Sequence, residues 1–250
     1  MSKVYIVGAG PGDKELITLK GLRAIKEADV ILYDRLINNE LLDYAKEDCE
    51  LIFCGKKPRL HGLIQEEIHR LLVQYAKQGK VVTRLKGGDP FIFGRGGEEG
   101  QVLKAENIPF EIVPGITSGI SAAAYAGIPL THRGVSGSVS FINASNPDNR
   151  SEEEWEHIVK GVDTLCFYMG VKHFPRTVQY LINAGLKPDT PVAMIHWGTF
   201  AHQKTIVGTL ADIEGKMSEI SNPSMIVIGE VVNLHKELQW FEQIAAEQLN

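Results

Sequence analysis

Cysteine is scarce in this chain. Cys49, Cys54 and Cys166 are the only three among 250 residues. No two of them stand at C-x-x-C or zinc-ligand spacing, which argues against a disulfide scaffold and a zinc module. They read as reduced thiols of a cytosolic protein, so the expected location is the cytoplasm. Long hydrophobic runs are missing too, since nothing approaches the roughly 20 apolar residues a membrane-spanning helix needs. Met1-Ser2-Lys3 leads straight into the apolar run 4–7, leaving no room for a signal peptide. Excess positive charge is absent: the net charge is -5, which argues against general nucleic-acid binding. His61, His132, His196 and His202 are scattered without H-E-x-x-H spacing, so no metal site is expected. There is no Walker loop and no G-x-S-x-G elbow. What is present, 44% hydrophobic and 23% charged residues, is the composition of a soluble globular protein with room for two modest domains.

Glycine-rich loops carry the chemistry. The β-branched run 80–83 reads as a buried strand, and Gly87-Gly88-Asp89 follows it closely. Two residues without a Cβ let the backbone approach a ligand, and Asp89 places a carboxylate where open α/β sheets bind ligands. Arg84, Lys86 and Arg95 flank this turn with positive charge. A second loop, Gly8-Ala9-Gly10-Pro11-Gly12-Asp13, leaves the apolar strand 4–7. A third, Pro114-Gly115-Ile116-Thr117-Ser118-Gly119, offers two hydroxyls at the mouth of a small-residue helix. There they serve as simple caps or hold a polar end of a cofactor. A fourth, 55–61, is rich in Lys and Arg.

In order, the chain alternates strands and helices. Strands are expected at 4–7, 30–33, 50–54, 80–83 and 110–113, with helices at 18–27 (capped by Thr18), 38–47, 64–78 and up to about 105. The first strand–loop–helix–strand unit invites a dinucleotide-binding reading, because Asp34 lies about twenty residues past the glycines. The spacing is G-x-G-x-G, however, and does not run directly into the helix, so that reading is a minority one. Residues 127–134 break regular structure and bridge to a second α/β half. That half has strands at 139–143, 164–170, 191–198 and 225–232, helices before 164 and over 177–184, and a possible helix over 240–249. The expected domains are 1–115 and 116–250.

Val-Gly-Ala-Gly-Pro-Gly-Asp at 7–13, Tyr-Asp-Arg-Leu at 33–36 and Arg-Leu-Lys-Gly-Gly-Asp-Pro-Phe-Ile-Phe-Gly-Arg-Gly-Gly-Glu-Glu at 84–99 resemble the motifs of the tetrapyrrole methylase family. So do Val-Pro-Gly-Ile-Thr-Ser-Gly at 113–119, Gly-Ile-Pro-Leu-Thr-His-Arg at 127–133 and Phe-Tyr-Met-Gly at 167–170. The resemblance covers essentially the whole chain. It implies a two-domain α/β fold of class III methyltransferases, with S-adenosylmethionine held in a cleft between the domains and S-adenosylhomocysteine as its product. It also implies a homodimer. The implied reaction is methylation of uroporphyrinogen III at two pyrrole carbons, giving precorrin-2, the branch point to sirohaem and cobalamin. On the family pattern, Pro11, Gly87, Gly88, Asp89, Ile92, Thr117, Ser118, Met169 and Gly198 match cofactor-contacting positions. Asp34 matches the proposed proton acceptor and Lys56 the proposed proton donor.

These residue types suit those roles. A sulfonium cation is poorly placed beside Lys or Arg, so glycine backbone and apolar Ile92 and Met169 fit its pocket. The substrate carries eight carboxylates, for which Arg35, Lys57, Arg59, Arg95 and Arg133 are candidate partners. Asp34 can serve as base if cations and burial tune it. One segment departs from the family: Ile142-Asn143-Ala144-Ser145-Asn146 stands where relatives commonly have Val-Thr-Gly-His. That leaves two alternatives beside the main reading, a methylase of a later corrin precursor and a cofactor-binding relative of weak activity. The stand-alone length implies no fused dehydrogenase–chelatase module.

Overall fold

The apolar runs of the first half become five parallel strands. These are β1 (Lys3–Gly8), β2 (Val30–Tyr33), β3 (Glu50–Phe53), β4 (Val81–Lys86) and β5 (Phe110–Val113), in the order β3-β2-β4-β1-β5. The computed structural model describes residues 3–55, 65–242 and 244, and the chain divides into two units, Met1–Thr117 and Ser118–Asn250.

Side-chain alternation along the strands gives the first sheet two apolar faces. Val4, Ile6, Val30, Leu32 and Val82 pack with Ile68 and Leu72 of α2 (Gln65–Lys77) and Leu103 of α3 (Gly96–Ala105). Val7, Ile31 and Leu85 point the other way, to Ala24 and Ile25 of α1 (Leu19–Glu27) and to Leu41. Each such fully buried aliphatic side chain contributes about 1.5–3 kcal/mol. Thr18 caps α1, its hydroxyl accepting from the Gly21 N–H at 3.0 Å. Gly79, at φ +84°, stops the chain just past α2.

In this first unit, two details differ from the pattern expected of the sequence. The segment 38–47 is not an α-helix but a 3₁₀ turn, Asn39–Tyr44, in which Leu41 is the buried anchor; one anchor is not a stripe. Strand β4 also runs on to Lys86, so Arg84 and Lys86 do not flank a turn. They lie inside the sheet, 2% and 3% exposed.

The second unit holds a mixed sheet in the order β6-β7-β10-β8-β9. Its strands are β6 (Val139–Asn143), β7 (Thr164–Tyr168), β8 (Pro191–His196), β9 (Lys204–Thr209) and β10 (Ser224–Ile228). β6 and β7 are parallel, while β10 runs antiparallel to both β7 and β8, so β6, β7 and β8 share one direction. On one face, Trp155 of α5 (Glu152–Gly161) and Phe174, Val178 and Leu181 of α6 (Phe174–Asn183) cover Ile142, Phe167, Met194 and Ile226. Against β7 and β10 lies α4 (Ser118–Tyr125); α7 (Ile213–Lys216) and α8 (His235–Leu238) are short. Strand β9, an edge strand paired with β8 alone, is not among those expected of the sequence: its apolar residues are only Ile206 and Val207, between polar neighbours and Gly208. The run 225–232 breaks after Ile228 at Gly229, whose φ of +137° ends the strand. The helix expected over 240–249 falls largely outside the described residues. Among those described, no helix is long and apolar enough to cross a membrane.

Candidate active site

Strands β1 and β4 are neighbours, yet β1 continues into α1 on one face of the sheet and β4 into α3 on the other. Their loops therefore diverge, which is the switch point where open α/β sheets take ligands. The two glycine loops meet there. Gly10 N–H donates to the Gly88 carbonyl at 3.2 Å and Gly88 N–H to that of Gly10 at 2.7 Å. Gly10 and Gly88 have φ of +80° and +68°, the left-handed region that favours glycine. The loop after β5 closes against both: a Cβ on Gly115 would stand 2.3 Å from the Gly88 oxygen and 2.7 Å from Gly8. Only backbone fits where the three meet.

Asp89 ties this arrangement together. Its Oδ1 accepts from Phe91 N–H at 2.8 Å and its Oδ2 from Gly115 N–H at 3.0 Å. The carboxylate thus shapes the loops first, and has only its remaining lone pairs for a ligand. Pro11 and Ile92 are half-buried beside these loops in sequence. Thr117, 5% exposed, ends the first unit.

In the second unit, β6, β7 and β8 deliver their loops to one edge. Ser118 opens α4, whose Gly119 N–H donates to the Tyr168 hydroxyl at 2.8 Å. A Cβ on Gly198 would come 2.5 Å from that of Ala122 in the same helix, so both glycines serve close packing of α4 on the sheet. Met169 follows β7 in a left-handed conformation, φ +59°, and is 44% exposed. The 143–146 segment joins this edge: Ala144 N–H donates to the Tyr168 carbonyl at 2.9 Å, and Ala144 Cβ would stand 3.0 Å from a Cβ on Gly170.

At the end of β2, Asp34 is 30% exposed and meets a buried cluster of charge. Arg84 Nη2 donates to Asp34 Oδ1 at 2.6 Å and Arg84 Nε to Glu99 Oε1 at 3.0 Å. Lys86 Nζ lies 3.0 Å from Glu99 Oε1 and 3.8 Å from Asp34 Oδ2. Gln65 of α2 adds a third donor to Glu99 Oε1 at 3.3 Å. Burial and the Arg84 guanidinium hold the Lys86 ammonium below the ordinary lysine value. Burial also disfavours the charge on Arg84, but Asp34 and Glu99 more than offset it and raise its pKa. Burial pushes the nearby Cys54 thiol up to about 11, so it adds no charge near neutrality.

Of the candidate cations, Arg35 and Arg95 are exposed in the first unit and Arg133 in the second. Arg95 forms a two-pronged pair with Glu98, at 2.8 and 2.7 Å. Lys56, Lys57 and Arg59 lie outside the described residues. The four-charge cluster is what a reading of motifs misses. Its signal was present in the alternation: Val82, Arg84 and Lys86 share a face, the face that α3 covers with Glu99.

Comparison with known proteins matches residues 3–214 to the family described as Tetrapyrrole (Corrin/Porphyrin) Methylases. The chain is 59% identical over 236 residues to the uroporphyrinogen-III C-methyltransferase of Priestia megaterium, covering 93% of this chain and 99% of that one. It is 54% identical over 252 residues to the protein of that name from Bacillus subtilis (strain 168), covering 99% of this chain and 98% of that one. Among solved structures, uroporphyrin-III C-methyltransferase from Thermus thermophilus complexed with S-adenosyl homocysteine superposes with a TM-score of 0.79. It is 36% identical, over 93% of this chain and 100% of that one.

Proposed function

The chain belongs to the tetrapyrrole (corrin/porphyrin) methylases, and from that premise we propose that it is an S-adenosylmethionine-dependent uroporphyrinogen-III C-methyltransferase. It places methyl groups on two pyrrole carbons to give precorrin-2. What carries the reading is the 59% identity, across nearly the full length of both chains, to a protein of that name. The relative solved with S-adenosyl homocysteine supports the cofactor.

The residues present fit such a cofactor. The cations nearest Gly87-Gly88-Asp89, Arg84 and Lys86, are buried and paired with carboxylates, so the loop offers backbone groups and no free positive charge to a sulfonium. Pro11, Gly87, Gly88, Asp89, Ile92 and Thr117 of the first unit and Ser118, Met169 and Gly198 of the second would hold it. When bound, it supplies an electrophilic methyl group. Asp34 takes the proton that the macrocycle must lose after methylation, from a position other than the now fully substituted pyrrole carbon, for the product to regain neutrality. Lys56 is the matching proton donor. Arg35, Lys57, Arg59, Arg95 and Arg133 pair with substrate carboxylates, Arg95 by exchanging its Glu98 partner. The protein works as a cytoplasmic homodimer, which sedimentation of the purified chain would check.

The test is anaerobic incubation with S-adenosylmethionine and uroporphyrinogen III, counting methyl groups by mass spectrometry. Two additions are expected, with Asp34→Asn losing at least about 100-fold in turnover while still binding S-adenosylhomocysteine in calorimetry. Cofactor binding without any transfer by the unmodified chain would overturn the reading and turn attention to later corrin precursors.

A further inference from the structure

Two cations and two carboxylates meet at the end of β4, and only Asp34 among them reaches solvent to any extent. Charge balance there is close to neutral, but its distribution is uneven. Glu99, fully buried, takes Arg84 Nε, Lys86 Nζ and Gln65 Nε2 on the single oxygen Oε1. Its Oε2 has no partner. Asp34 is treated differently. Its Oδ1 is bound tightly by Arg84, whereas the nearest cation to its Oδ2 is Lys86, at 3.8 Å, beyond hydrogen-bonding distance. Lys86 is thus drawn toward Glu99 and away from Asp34.

We propose that Glu99 and Lys86 are positioning residues for Asp34: by holding the Lys86 ammonium on its own carboxylate, Glu99 leaves Asp34 Oδ2 without a bonded cation and so able to accept a proton. The assignment of Asp34 as the base rests on the functional reading above; the electrostatic coupling rests on the geometry. A carboxylate clamped by both cations would be a poor proton acceptor, and one facing neither would not stay charged so near the sheet. The other groups facing the cluster are few among the described residues. Cys54 at the end of β3 is held neutral by burial, and on α2 Gln65 is uncharged and lies 3.1 Å from the ring of His69. The sharing of Lys86 therefore governs Asp34.

Two variants should move Asp34 in opposite directions. Glu99→Gln releases Lys86, whose nearest remaining carboxylate oxygen is Asp34 Oδ2, so the Asp34 titration falls. Lys86→Met removes the cation, so it rises. Each shift should be about one pH unit, or about tenfold in proton affinity. The double variant removes one charge of each sign and should return the titration close to that of the unmodified chain. The carboxyl resonance is followed by ¹³C NMR on the full-length chain labelled at aspartate, with Asp34→Asn identifying the signal. The acid limb of the methyl-transfer pH profile should follow the same order.

Shifts of the same sign in the two single variants, no shift in either, or a double variant that does not recover would overturn the proposal. If Glu99→Gln does not fold, the rise in Lys86→Met and its reversal in the double variant still decide it. The titration is read without cofactor or substrate. Loss of the functional reading is therefore seen separately, as an unmodified chain that transfers no methyl group.

Discussion

A single methyl group is enough to spoil the meeting point of the three glycine loops. On Gly115 it would sit 2.3 Å from the Gly88 oxygen, in backbone that a rotamer change cannot relieve. Gly115→Ala should lower stability by about 2–3 kcal/mol, as overpacking of a filled site does, and abolish binding of S-adenosylhomocysteine in calorimetry. Gly97→Ala is the control, since a Cβ there meets nothing within 4 Å and alanine is the better helix former. It should melt no lower than the unmodified chain. Motif reading marked the Gly-Gly-Asp loop as close to ligand. It did not reveal that Asp89 spends both oxygens on Phe91 and Gly115 N–H groups, because the second of these bonds joins residues 26 apart in sequence.

At the scale of elements, the first sheet is held in register at its amino-terminal edge by one short segment. Asp29 N–H donates to the Val81 carbonyl at 2.8 Å, Glu50 N–H donates to the Asp29 carbonyl at 3.0 Å, and the Asp29 side chain accepts from Val81 N–H at 2.8 Å. Strands β2, β3 and β4 are stitched at that point. The Val81 N–H, and then Lys46, hold the Asp29 carboxyl below its ordinary value of 3.8. A carboxyl with a depressed folded value contributes stability above the unfolded value, and loses it as pH falls through the folded one. Asp29→Ala should therefore cost about 1 kcal/mol at neutral pH, the worth of one hydrogen bond. The gap to the unmodified chain should close as pH falls below 3.8, which thermal melts across that range would read. The sequence displayed these strands through their apolar runs. It did not mark β9, whose apolar run is only Ile206-Val207, and it left the length of β4 open, because the end of that strand carries the charged Arg84 and Lys86.

At the scale of the whole molecule, each unit carries its own core. The first sheet is covered on both faces by helices drawn from its own unit, and α5 and α6 cover one face of the second. The fragments 1–117 and 118–250 should each fold with α/β circular dichroism and a cooperative melt. A first fragment that binds fluorescent apolar dye and melts without a transition would contradict this. The sequence by itself determined the family, the alternation of strands and helices and the glycine loops, because these rest on local spacing and on residues with unusual backbone freedom. Tertiary structure alone decided that the loops from β1, β4 and β5 meet backbone to backbone. It alone turned Arg84 and Lys86 from flanking charges into members of a buried cluster with Asp34 and Glu99. The physical reason is that a charge takes its role from its partner, and strand register and helix packing chose partners up to 50 residues away.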